Sequence, residues 1–424
     1  MFTALTALTT LISPTTIQAA GAIDIPPLSS TTIDTGVNGT IALDDQGRPW
    51  TWDLDGTTSP VVWSGFKLQQ VISDDSIRGG TGTDGTPHKV RTGATSQNVI
   101  GDENPDVTEA MRQLPKSKMI AAYGSDIYSI DMSDHLQCVP IGVGSNSFCS
   151  QLKLLNLGPA RSITSSGTTY NSGAGAAVVT VLMDGMVYEW LMSAQNPAPQ
   201  KVNFPDGVII RQASANAHNG VALDSEGQAW AWGFNDYGQI GDGTTTNRSD
   251  PVKVIMPNGV KFTHIAVGLH YVVAIDTMGQ AWSWGDNSSW NLGTGNTKNS
   301  SIPVKVNMPS STTRFTEITT GMMGMGGWTT AKAENGDIWT WGGTGTKNMS
   351  TPVGNGKAIV DNSRMLRAFD FSDTSKPSCG DNVTVISCAP TTGVTPTGLS
   401  AVGFAAIGLG LIGALILLVK GLRI

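Results

Sequence analysis

This sequence predicts an all-β fold assembled from repeated small sheets, on three observations. Residues 218–254 are written a second time at 270–306. HNGVALDSEGQAWAWGFNDYGQIGDG with a later DPVKV returns as HYVVAIDTMGQAWSWGDNSSWNLGTG with a later IPVKV, at a constant offset of 52 residues. An offset that does not drift over a whole block marks one structural unit duplicated. Within the unit, Val221-Ala222-Leu223 and Ala229-Trp230-Ala231-Trp232 alternate large and small residues with the period of a strand. Asp224-Ser225-Glu226-Gly227 between them supplies a turn, so each unit begins as a hairpin. Finally, nine of the twelve tryptophans fall on this one motif, which excludes scattered core aromatics.

Weaker copies extend the pattern. They run Gly39–Trp52, Val179–Trp190 and Thr330–Gly342, with the faintest at Met119–Ile130, where Tyr128 holds the first aromatic position. The repeat-core residues are Trp50, Trp52, Tyr188, Trp190, Trp230, Trp232, Trp282, Trp284, Trp339 and Trp341. Both aromatics of a pair point to one sheet face, where two indoles per unit can hold stacked sheets together. Units of this size, each a small antiparallel sheet with Gly- and Trp-rich hairpins, read as propeller blades.

The phrase H-x-x-x-A-[LI]-D-x-x-G-x-A-W-x-W-G, followed by N-x-x-x-x-[IL]-G-x-G and P-V-K-V, resembles the regulator-of-chromosome-condensation (RCC-type) repeat. The resemblance implies a closed β-propeller over residues 33–372, with six legible repeats and six or seven blades. The step of 78 residues from Trp50 to Tyr128 hides a degenerate blade or an inserted loop. Pro60-Val61-Val62 and Thr86–Val90 echo the P-V-K-V element, whereas Arg78–Ser96 is rich in Gly and Thr. The chain after Trp341 is expected to pair with the N-terminal segment and close the ring, removing free edges.

The two ends speak for location. Residues 1–22 are apolar and end in Ala20-Gly21-Ala22, like a secretory signal peptide, although no Lys or Arg precedes Arg48. Residues 399–419 carry no charge and are long enough for a transmembrane helix. Lys420 and Arg423 in the tail 420–424 predict a cytoplasmic C-terminus, with the propeller outside. Residues 373–398 form a stalk rich in Pro, Thr and Ser. Within it Ala389-Pro390-Thr391-Thr392-Gly393 resembles the L-P-x-T-G sorting signal of Gram-positive surface proteins, with Ala389 in place of Leu. Wall attachment by a sortase and simple membrane anchoring both follow from such an end. Both place the domain on the cell surface.

The four cysteines form two local pairs, Cys138/Cys149 and Cys379/Cys388, and disulfides suit an extracytoplasmic protein. No catalytic residue, metal site or cofactor motif is assigned: H-E-x-x-H, G-x-S-x-G and Walker A patterns are missing. His218 and His270 share a repeat position and read as structural, and Asp44, Asp184, Asp224 and Asp276 as turn formers. A formal charge of −7, from 33 acidic and 26 basic residues, argues against nucleic acid. The chromatin-bound, nucleotide-exchange role of eukaryotic relatives is set aside because no surface element for it carries over residue by residue and the exported topology keeps the domain from such a partner.

What remains is a non-enzymatic, adhesin-like surface platform for an extracellular protein or glycan. The loop after the tryptophan hairpin differs between the two best copies, and its aromatics Tyr237 and Trp290 are the expected contacts. The alternative is an inhibitor, by resemblance to the secreted propeller-type β-lactamase inhibitor. A wall-directed hydrolase using axial carboxylates is the third reading.

Overall fold

The computed structural model describes residues 32–36, 39–53, 61–62, 66–73, 77–90, 105–123, 126–141, 149, 157–166, 177–191, 199–216, 218–323, 326–343, 352–353, 357–358 and 366–369. The signal-like segment 1–22, the stalk 373–398 with Ala389–Gly393, the apolar span 399–419, the tail 420–424, Cys379 and Cys388 lie outside them. Among the described residues no helix is long and apolar enough to cross a membrane.

Antiparallel sheets follow one another along the chain, each built by consecutive strands. Blade 1 comprises Ile33–Thr35, Gly39–Leu43, Pro49–Asp53 and Val61–Val62; blade 2 comprises Leu68–Ser73, Arg78–Gly82 and Pro87–Lys89. Blade 3 holds Ser117–Tyr123, Asp126–Asp131 and Leu136–Pro140, and blade 4 holds Ala160–Ser166, Ala177–Leu182, Val187–Leu191 and Gln200–Val202. Blades 5 and 6, the duplicated pair, are Ile210–Ala215, Asn219–Asp224, Ala229–Gly233, Arg248–Lys253 and Phe262–Val267, Tyr271–Asp276, Ala281–Gly285, Ser300–Lys305. Blade 7 is Phe315–Met323, Gly326–Ala333, Ile338–Gly343 and Leu366–Phe369, with a small hairpin, Pro352–Val353 and Lys357–Ala358, before its last strand. The first strand of every blade lies beside the first strand of the next, and that of blade 7 lies beside that of blade 1. The ring is closed, with seven blades.

Two sequence expectations are corrected. Six phrases are legible because the third strand of blade 2 carries no tryptophan, and the phrase Met119–Ile130 of blade 3 lies one strand early. Tyr128 sits on the second strand, and the third strand reads Leu136-Gln137-Cys138-Val139-Pro140. The long step contains blade 2, whose third strand carries His88 where blade 5 carries Trp230. Closure also differs from expectation. Leu366–Phe369 pairs with Ile338–Gly343 of its own blade, and Ile33–Thr35 pairs with Gly39–Leu43, so among the described residues no strand is shared across the seam.

Side chains hold the seam instead. Thr32 donates through its N–H and hydroxyl to the Glu317 carboxylate at 2.6 and 2.5 Å. The Lys332 ammonium donates to Thr32 Oγ1 (2.8 Å) and the Leu43 carbonyl (3.2 Å). Partly buried Asp34 accepts from Thr35 N–H (2.9 Å), Ser73 N–H (2.6 Å) and Thr319 Oγ1 (3.1 Å), joining blades 1, 2 and 7. The position of Glu317 performs the same task elsewhere in the ring. Gln70 accepts from Ile120 N–H (3.2 Å) and Gln212 from Ile265 N–H (2.9 Å), each reaching the next blade.

The paired aromatics divide their work. The first indole N–H donates to its own turn aspartate: Trp50 to Asp44 (3.0 Å), Trp230 to Asp224 (2.9 Å) and Trp282 to Asp276 (2.9 Å). The other oxygen of each carboxylate accepts two backbone N–H groups of the turn, for example Met278 and Gln280 on Asp276 at 2.8 and 3.0 Å. In blade 3, Gln137 Nε2 takes the indole's place on Asp131 at 3.0 Å. Asp184 lies two positions later in its turn and accepts Met186 N–H at 3.0 Å. The second indole reaches back one blade: Trp232 to Glu189 (3.0 Å), Trp284 to the Gln239 carbonyl (2.9 Å) and Trp341 to the Asn291 carbonyl (3.2 Å). Gly241 explains the glycine of the loop motif, since a Cβ there would lie 2.8 Å from Trp284 Nε1.

Apolar packing fills the spaces between blades. Trp282 and Trp284 pack on Val221, Leu223, Ala231 and Ile240 of blade 5, and Trp341 packs with Val273, Leu292 and Val306 of blade 6. Each fully buried large side chain of this kind contributes about 1.5–3 kcal/mol. The helix Pro105–Gln113 follows blade 2, where complete blades have a fourth strand. Its Val107, Ala110 and Met111 pack against Ile72, Ile77 and Ile120 of blades 2 and 3. Cys138 and Cys149 form a disulfide beside this sheet.

Candidate binding face

Turns between first and second strands and loops between third and fourth strands emerge on one face of the ring. In blades 5 and 6 the duplicated sequence gives both connections the same backbone. Phe234 N–H donates to the His218 carbonyl at 3.0 Å, and Asp286 N–H donates to the His270 carbonyl at 2.8 Å. Asn235 and Asn287 organise the long loops. Asn235 Nδ2 donates to the Thr244 and Thr246 carbonyls, both at 3.0 Å, while its Oδ1 accepts Ile240 N–H at 2.8 Å. Asn287 repeats the set with Asn296, Lys298 and Leu292. Loops tied this closely present their side chains from a fixed backbone.

Four rings form a continuous row on this face. Phe234 meets His218 edge-on at 5.3 Å, His218 lies 5.9 Å from His270, and Tyr237 stacks on His270 at 4.9 Å. The outer rings are open to solvent, Phe234 at 49% and Tyr237 at 40% exposure. Burial holds the His218 imidazole below the ordinary histidine pKa. Burial does the same for His270, assisted by His218 and opposed by Asp286 and Asp236. At neutral pH the row is therefore uncharged, with carboxylates at its margin. Flat, rigid, neutral rings of this kind suit contact with a partner's apolar or aromatic groups.

The sequence-chosen residues separate here. Tyr237 belongs to the row, stacked across the blade boundary rather than beneath its own loop. Trp290 lies one blade on, half-buried, and makes no ring contact among the described residues. It stands where blade 5 has Gly238, and it keeps the glycine conformation, with φ 65° against 83°. A bulky residue held at positive φ is strained, and such strain concentrates at functional sites. Phe234, His218 and His270 escaped the sequence reading as contacts. The legible signal was Phe234, which stands where the second copy has Asp286.

The repeat-core aromatics Trp230, Trp232, Trp282, Trp284 and Trp341 are buried, and Trp50, Tyr188 and Trp339 half-buried. Trp52 and Trp190 lie on third strands, their side chains outside the described set. One cluster of metal-ligating types, Asp126 with Cys138 and Cys149, has both sulfurs committed to the disulfide.

The family model for the regulator of chromosome condensation (RCC1) repeat matches residues 226–275 and 278–323, and a second model of that repeat matches residues 210–239. This is an RCC1-type repeat propeller. The matched RCC1 repeats cover blades 5 and 6 and enter blade 7, the part in which the motif is best preserved. Ultraviolet-B receptor UVR8 of Arabidopsis thaliana is 30% identical over 148 residues, which is 34% of this chain and 32% of the receptor. E3 ubiquitin-protein ligase HERC2 of Homo sapiens is 29% identical over 184 residues, 42% of this chain and 4% of the ligase. The chain thus spans about a third or less of these relatives. Among solved structures, Prp20p of Saccharomyces cerevisiae, described with its binding to Gsp1p and histones, aligns over 68% of this chain and 79% of its own. Its sequence identity is 17% and its TM-score 0.49.

Proposed function

We propose that this RCC1-type propeller is a non-enzymatic binding platform displayed outside the cytoplasm. It engages a protein or glycan partner through the face that carries Phe234, His218, His270 and Tyr237. The observation that carries this reading is the row of four rings on rigid loops, with two large aromatics open to solvent and no charge within the row. The extracytoplasmic part of the proposal is supported by the Cys138–Cys149 disulfide and by the signal-like and anchor-like ends of the sequence.

The test uses the full chain as bait against the host's envelope fraction, beside Tyr237→Ala and Phe234→Ala. A component retained by the wild type and held at least tenfold more weakly by either variant supports the platform. Equal retention by all three overturns it. Mass spectrometry of the mature chain tests the location separately: a terminus at Thr392 joined to wall material, or detergent extraction of an intact terminus, supports display. A protein recovered with residues 1–22 uncleaved from the soluble cytoplasmic fraction overturns it.

A further inference from the structure

A shared irregularity marks the opposite face of the ring. In six blades the first strand begins with a β-bulge, one extra residue standing between two paired ones: Gln69, Lys118, Arg161, Arg211, Thr263 and Thr316. Because first strands surround the centre of a propeller, these six residues occupy equivalent places around one mouth of the central channel.

The repeat supplies its own comparison. In blades 6 and 7 the bulge residue is a threonine whose hydroxyl donates back to its own second strand, Thr263 to the Ile275 carbonyl and Thr316 to the Lys332 carbonyl, both at 3.3 Å. In blade 3 the bulge residue is a cation with a counterion, Lys118 on Asp134 at 2.5 Å. Blades 4 and 5 break the rule. They place two guanidiniums on neighbouring strands, and neither Arg161 nor Arg211 has a carboxylate within ion-pair distance among the described residues. Arg161 Nε is buried with no hydrogen-bond partner at all. The two charges feel each other, since burial and then Arg211 depress the Arg161 pKa. A buried donor without a partner is destabilising, and like charges add to it, so an acidic protein with this pair lacks a group the site needs.

We propose that Arg161 and Arg211 form an oxyanion site for a phosphate group at this channel mouth. Two guanidiniums offer planar donor pairs suited to the oxygens of one tetrahedral anion, and such an anion supplies both the missing acceptor for Arg161 Nε and the missing negative charge. The site lies at the opposite end of the first strands from Tyr237 and His270, so it stands or falls independently of the binding face.

The experiment is a 31P NMR titration of the full chain with inorganic phosphate and, in a second arm, glycerol 3-phosphate. The chain is compared with Arg161→Gln and Arg211→Gln at matched ionic strength in chloride. Glutamine already occupies this position in blade 2 as Gln69, so the variants have a precedent for folding. The expected result is saturable broadening in at least one arm, weakened at least tenfold in each variant. A thermal midpoint should also rise with phosphate in the wild type by more than in either variant. Response to phosphate alone identifies a free-ion site, and a stronger response to the ester identifies a phosphoryl group on a larger ligand. Equal broadening in wild type and variants, or none in either arm, overturns the proposal.

Discussion

Asp34 gives the seam of the ring a pH dependence opposite to that of an ordinary surface carboxylate. Its carboxyl is packed into the seam, and desolvation there outweighs the hydrogen bonds from Ser73, Thr319 and Thr35, raising its pKa from 3.8 to about 6. That displacement corresponds to about 3 kcal/mol at 1.4 kcal/mol per tenfold change in acidity. Below about pH 3 the acid is protonated in both folded and unfolded chains, and the seam has its full strength. As pH rises through 6 the folded chain must bury a charge that the unfolded chain leaves in water, and stability falls by about 3 kcal/mol. Asp34→Asn removes the titration. It also turns an amide donor or acceptor toward Ser73 N–H, a change that shifts stability equally at every pH. Urea unfolding followed by tryptophan fluorescence between pH 3 and pH 8 separates the two effects. The wild-type minus variant difference should decline by about 3 kcal/mol across that window. Parallel curves would refute the reasoning, because every other titrating group is common to both proteins.

Three further outcomes follow from the repeat. Trp339 Nε1 is buried without a partner because Ala333 stands where blades 5 and 6 have Asp224 and Asp276. Ala333→Asp should therefore raise the unfolding free energy by about 1–2 kcal/mol, and an unchanged or lowered midpoint would contradict the role given to the turn aspartate. The reverse change, Asp276→Ala, strands the Trp282 indole N–H and two turn amides, with an expected loss of about 2–4 kcal/mol in the same assay. Trp290→Gly relieves a side chain held at φ 65° and should stabilise by about 1 kcal/mol in thermal unfolding, while a lower midpoint would show that the ring's packing outweighs the strain.

The duplicated blades 5 and 6 were legible almost to the residue, because every element of the motif has a geometric task there. Tryptophan needs its aspartate, the second tryptophan needs the preceding loop, and Gly241 must leave room for Trp284. Blades 2 and 3 were hard to read because other chemistry performs those tasks. His88 stacks on Phe66 at 4.7 Å in place of an indole, and Gln137 bonds Asp131 with an amide. Aligned on the turns, the first-aromatic position falls at 50, 88, 137, 188, 230, 282 and 339, so every step lies between 38 and 57 residues once His88 and Gln137 stand beside the tryptophans. The row of four rings was half legible. Tyr237 stood out by type, but its stacking on His270 crosses a blade boundary that one-dimensional spacing does not reveal. Bulges and interblade bonds such as Gln212 to Ile265 are equally silent in sequence, since they depend on register between strands.

The unshared seam has a consequence for biosynthesis. Each blade is finished by consecutive residues, so six of the seven interblade faces can be buried in order as the chain is made. The seventh waits, because Thr32 finds its partner Lys332 only after 300 further residues have been added. At about 5–20 residues per second that is roughly 15–60 s during which the outer face of blade 1 has no neighbour. The nascent chain is then an open arc with one uncovered sheet face. Glu317 and Lys332 convert that arc into a ring once blade 7 has been made.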